Sequence, residues 1–166
     1  MLSTPQVSIP QLAVKAGVLI CISFIIYFMS MKYFNLIHFA ELRFLNIFIL
    51  ITGLILTLRY YRQKTNILNI AYFDGFLLGI ITAIASHLFF AVFIYIYFHT
   101  NPESLLVLKG NTVMMGSGSL TPAYAAATVV IEGTFAGLII SFAIMQYYKS
   151  GFYRTIQEKR QEGVIV

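Results

Sequence analysis

Four long stretches of apolar residues, separated by short polar or basic segments, set the pattern of this chain. A hydrocarbon core of about 30 Å is crossed by about 20 helical residues at about 1.5 Å each. The pattern predicts crossings near residues 12–32, 41–60, 74–98 and 122–148. The first run, Val14 to Met31, carries only Lys15 as a charge, and it is too long and too poor in leading bases for a removable signal sequence. The second is the shortest, because its charge-free part extends only from Phe44 to Leu58. It gains length if Arg43 and Arg59 extend outward along their apolar stems. No Pro and a single Gly between Leu45 and Leu58 favour a helix there over a re-entrant loop. The expected fold class is an all-α membrane protein, a bundle of four transmembrane helices over residues 1–153 followed by a basic tail over residues 154–166.

Lys and Arg are unevenly divided between the two sides of these spans. One side collects Lys15, Arg59, Arg62, Lys64, Lys149, Arg154, Lys159 and Arg160, and the other has Lys32, Arg43 and Lys109. The richer side is expected to be cytoplasmic, which places both termini there. Tyrosines divide into two belts in agreement: Tyr60, Tyr61, Tyr72, Tyr147 and Tyr148 at one interface, and Tyr33, Tyr95, Tyr97 and Tyr124 at the other.

The longest connection, residues 99–121, opens with Thr100-Asn101-Pro102-Glu103, a helix-start pattern with Pro at the first helical position. A short surface helix is expected over 104–109. Gly116-Ser117-Gly118-Ser119 reads as a hinge, and Thr121-Pro122 as the cap of the fourth helix. Arg154 to Val166 reads as a polar tail without fixed structure that can rest on anionic lipid.

Composition narrows the solvent. Hydrophobic residues make up 59% of the 166 positions and charged residues 10%, with mean hydropathy +0.83; a soluble domain carries roughly 25% charged residues. The formal charge of +5 falls beside the apolar segments, which points to lipid headgroups and away from nucleic acid. A single cysteine, Cys21, excludes an internal disulfide and a cysteine-based zinc site.

Two ionisable residues fall deep within the spans, His87 in the third and Glu132 in the fourth, at similar depths. A carboxylate there is costly unless protonated, hydrated or paired. The two are candidates for an intramembrane polar pair, either a structural interhelical hydrogen bond or a proton relay. Small residues recur at spacing four: Gly75, Gly79 and Ala83 before His87 and Ala91 in the third helix, and Gly133, Gly137 and Ser141 in the fourth. Such faces allow close backbone approach, within one chain or between two. Asp74 suits a capping role at the start of the third helix. His38 and His99, with Glu41 or Glu103, offer at most a weak outer metal site. No nucleophile triad, phosphate loop or zinc motif is present in the sequence, so neither catalysis nor a cofactor is expected.

The segment Leu45 to Glu103 has a recognisable succession. An apolar helix ends in Leu58-Arg59-Tyr60-Tyr61-Arg62, a short basic turn follows, and Tyr72-Phe73-Asp74-Gly75-Phe76 opens a helix that closes on Tyr95-Ile96-Tyr97-Phe98 and Asn101-Pro102-Glu103. Together with Lys15-Ala16-Gly17 and the Gly137-containing last helix, it resembles a family of small four-helix inner-membrane proteins of Bacteroidota, the domain-of-unknown-function family forty-one ninety-nine. The resemblance implies a bacterial inner-membrane location and no activity or site residues. The expected role is that of a non-enzymatic accessory or assembly subunit acting through helix contacts, with itself or with another membrane protein. The alternative is proton-coupled transport of ions or small solutes by an oligomer, using Glu132 and His87.

Overall fold

The computed structural model describes residues 8–34, 36, 45–65, 72–105 and 121–161, with the side chains of the last helix described as far as Tyr148. Four helices account for nearly all of them: α1 (Ile9–Tyr33), α2 (Leu45–Thr65), α3 (Tyr72–Thr100) and α4 (Pro122–Gln161). Each contains a stretch long and apolar enough to cross a membrane, which in α4 is Pro122–Tyr148.

Helix ends follow local chemistry. Pro10 lies in the first turn of α1, where its missing N–H costs nothing. Thr121 caps α4, its Oγ1 accepting from the Tyr124 N–H at 3.2 Å. α2 runs to Thr65, five residues past the expected end, because Arg62 and Lys64 suit the negative end of a helix dipole. Its expected start, residues 41–44, lies outside the described residues. α4 continues to Gln161, through much of what reads as an unstructured tail. Arg, Gln, Glu and Lys over 154–161 are good helix formers, and no Gly or Pro interrupts them. After α3, Pro102 opens a single helical turn over 102–105, held by the Ser104 N–H donating to the Asn101 carbonyl at 3.1 Å. The rest of the expected 104–109 helix and the 116–119 hinge lie outside the described residues.

Threonine hydroxyls inside α2 and α3 are absorbed by their own helices. Thr52, Thr57 and Thr82 donate to the carbonyls of Phe48, Gly53 and Leu78, four residues back, at 2.7–2.8 Å. In hydrocarbon an unpartnered polar group costs several kcal/mol, so this local bond is the cheapest way to hold a Thr there.

The core centres on α3. Over its most apolar 18 residues, 56% are buried, against 28% in each of the other three helices. α1 and α4 both pack along α3, and α2 touches all three more lightly. Lipid tails are as apolar as Leu, so such packing depends on close contact more than on expulsion of water. Small residues provide it. A β-carbon at Gly17 of α1 would stand 2.8 Å from Ala85 Cβ and 3.1 Å from the Ser86 backbone nitrogen, so α1 lies directly on the α3 backbone. One apolar cluster joins Ile20, Phe24, Leu50, Leu54, Phe90, Ile94 and Tyr97. A second, at the Tyr72 end, joins Ala13, Leu58, Tyr61, Leu78 and Met145.

Beyond Phe24 the first cluster is aromatic. The Phe28 ring meets Phe93 and Tyr97 edge-on, with centroids 5.9 and 5.0 Å away. Lys32 Nζ lies 4.7 Å from the centre of the Tyr97 ring, whose hydroxyl is 3.2 Å from Ser104 Oγ. Tyr97 therefore ties the end of α1 to the turn after α3.

Candidate functional site

The two small-residue faces named from the sequence meet each other. Gly79 packs on Ser141, Gly137 on Ala83, and Gly133 on His87. The residue numbers in each pair add to the same value, so α3 and α4 run antiparallel in one register, stepping four residues at a time. Beyond this run, Gly75 and Met145 are also buried. Ser141 Oγ is fully buried and has no hydrogen-bond partner among the described residues, unlike the Thr hydroxyls of α2 and α3.

His87 sits at the centre of this arrangement, between α1 and α4. Its ring lies 5.1 Å from the Phe24 ring at 52°, and on the other side it occupies the space in front of Gly133. Nδ1 is 2.8 Å from the Ala83 carbonyl oxygen. Two lone pairs cannot face each other at that distance, so Nδ1 carries a proton and donates it. In the neutral ring the lone pair is then on Nε2. Ser86 Oγ donates to the same carbonyl at 2.9 Å and stands 3.3 Å from Nδ1. The imidazole is thus held by its own helix, with Phe24 and Gly133 as walls.

Glu132 is placed differently. Gly133 touches His87, so Glu132 lies at nearly the same depth, yet its side chain is exposed and makes no hydrogen bond or ion pair among the described residues. One residue along a helix is a turn of about 100°. With Gly133 facing α3, Glu132 is carried to the flank of α4 that no other described element covers. Around it Phe135 and Ile139 are each 65% exposed and Ile131 57%. The structure therefore brings His87 to Gly133, and among the described residues no hydrogen bond or ion pair joins it to Glu132.

Of the other candidates, Asp74 lies in the first turn of α3, and His99 in its last turn, stacked on Tyr95 at 6.1 Å. Among the described residues no three His, Cys, Asp or Glu side chains gather to hold a metal. His38 and Glu41 lie outside the described residues. Two contributors, Phe24 and Ser86, were not singled out from the sequence, and Gly17 only as part of Lys15-Ala16-Gly17. Gly17 carried a weak signal as the small residue of an apolar run, and Ser86 as a polar residue four after Thr82.

Comparison with family models, curated proteins and solved structures finds no match.

Proposed function

We propose that this chain is a multi-pass protein of a bacterial inner membrane, with both termini in the cytoplasm, that works without catalysis as an accessory or assembly subunit. In this reading it holds another membrane protein, or a second copy of itself, by helix contact. The location rests on the resemblance noted above and on the division of Lys and Arg between the two sides. One observation carries the role: the exposed Glu132 carboxyl among Ile131, Phe135 and Ile139. An acidic residue at the centre of a spanning helix costs roughly 2.5–3.5 kcal/mol even on the most lenient scale, and facing protein is the usual way to offset that. The Gly79, Ala83, Gly137 and Ser141 faces are occupied within the chain; every helix leaves apolar side chains exposed, and the outward side of α4 is distinguished among them by the Glu132 carboxyl.

A photoreactive phenylalanine analogue at position 135, irradiated in native membranes, tests this reading. A discrete protein adduct is expected. Adducts with lipid alone would overturn it.

A further inference from the structure

Glu132 also specifies what kind of helix covers it, an inference that rests on the assembly reading above. The residue stands eight positions after Tyr124 and fifteen before Tyr147, about 12 and 22 Å along the helix from the two tyrosine levels. A glutamate has only two methylenes and cannot carry its carboxyl to either interface as Lys or Arg would. One turn before it, Thr128 donates its hydroxyl hydrogen to the Tyr124 carbonyl at 3.0 Å, so what that oxygen still offers a neighbour is lone pairs. Glu132 and Thr128 together present acceptors, and one turn after Glu132 the side chain is only Ala136. Together they ask a neighbouring helix for donors.

Among the described residues no lysine or arginine lies at that depth. Among the described spans, Lys32, Arg59, Arg62 and Lys64 lie toward helix ends. Lys15 is the nearest approach, but it precedes Gly17, which abuts Thr82, Ala85 and Ser86. That sets it about six residues, or about 9 Å, below the level of Glu132, on a different helix. In a symmetric pair of copies, Glu132 would meet Glu132, carboxyl against carboxyl. Charge complementarity therefore favours a different protein. We propose that the Glu132 flank of α4 receives a transmembrane helix of another protein carrying a lysine or arginine at the same depth, paired with the Glu132 carboxylate and the Thr128 hydroxyl oxygen.

The test uses the full chain in phosphatidylcholine vesicles with synthetic Leu/Ala transmembrane helices bearing a central Lys, Leu or Glu, binding being read by energy transfer. The Lys helix is expected to bind roughly tenfold more tightly than the Leu helix. Glu132→Gln should abolish that preference, and Glu132→Lys should transfer it to the Glu helix. Unchanged thermal unfolding of both variants is the control, since Glu132 makes no hydrogen bond or ion pair among the described residues. Equal binding of Lys and Leu helices, or a preference that survives Glu132→Gln, overturns the ion pair. So does Glu132-dependent self-association that excludes the Lys helix, which would assign the flank to a second copy. The two readings fail separately: a position-135 protein adduct that is unaffected by Glu132→Gln leaves assembly standing and removes the basic partner, whereas no protein adduct removes assembly itself.

Discussion

The His87 imidazole fills the volume in front of the Gly133 Cα, where any larger residue would place its β-carbon. This contact has the least slack of the α3–α4 seam, because the ring is held from behind by the Phe24 ring and from below by the Ala83 carbonyl. Interiors packed to this density respond to one added carbon.

Gly133→Ala should therefore destabilise the helix pair by about 1–3 kcal/mol, the usual cost of overpacking. His87→Ala alone should also destabilise, since it leaves a cavity between Phe24 and Gly133. The informative case is the double variant. With the ring gone, the extra methyl at position 133 has space, so Gly133→Ala in the His87→Ala background should cost little or stabilise. Reversible unfolding of all four proteins in detergent micelles gives the coupling energy, and additivity would show that the two residues do not share this space.

Two turns toward the Tyr72 end, Gly79 and Ser141 make a milder version of the same contact, a β-carbon at position 79 standing 2.9 Å from Ser141 Cβ. Gly79→Ala is expected to destabilise, and adding Ser141→Gly should recover most of the loss. Ser141→Ala alone should be neutral or slightly stabilising, because it removes a buried hydroxyl without a hydrogen-bond partner and leaves the shape nearly intact. A clear loss of stability in Ser141→Ala would mean that the hydroxyl is bonded in the protein as it folds in lipid.

How far the sequence could be read depends on which physical signal each feature leaves. Spans leave a strong one, since about 20 apolar residues are needed wherever the chain crosses, and each of the four predicted stretches is helical over its described residues. The small residues of α3 and α4 were also visible at spacing four, but their register was not: sequence spacing marks a face without saying which partner residue lies opposite. The orientation of Glu132 was hidden for another reason. α4 is apolar on both its packed and its outward sides, Ile140 and Ile139 being neighbours in sequence, so no amphipathic contrast shows which way a residue turns. Only the contact of Gly133 with His87 fixes it. The Nδ1 bond of His87 to its own Ala83 carbonyl also leaves no mark, because every helical His has a carbonyl four residues back.

Phe24 is the large side chain that joins α1 to His87 and Phe90, at 5.1 and 5.4 Å between ring centroids, and it is 1% exposed. Phe24→Ala in water-soluble cores costs about 3–5 kcal/mol, part of it from transfer out of water. In a bilayer the unfolded reference is already apolar, so mainly the cavity and lost-contact part remains. The expected cost is about 1–2 kcal/mol, with Phe24→Leu costing less than Phe24→Ala. Unfolding in mixed micelles measures both. A cost near zero for Phe24→Ala would indicate that α1 is held to α3 by the Gly17 contact alone.

The proposed orientation predicts a labelling pattern that Cys21 makes simple to read. That thiol is the only cysteine and is buried in the α1–α3 cluster, so its own reaction with a membrane-impermeant maleimide should be slow. Single cysteines introduced as Ser119→Cys, in the 99–121 connection, and Glu162→Cys, near the chain end, then report opposite faces. With both termini cytoplasmic, Ser119→Cys should label in intact cells and Glu162→Cys only after permeabilisation. The Lys and Arg division behind this is eight residues against three, a bias strong enough to orient short loops. The reverse pattern would invert the topology and put the Tyr124 level, nearer to Glu132, on the cytoplasmic side. Any partner helix would then have to present its basic residue in the inner half of the bilayer instead of the outer.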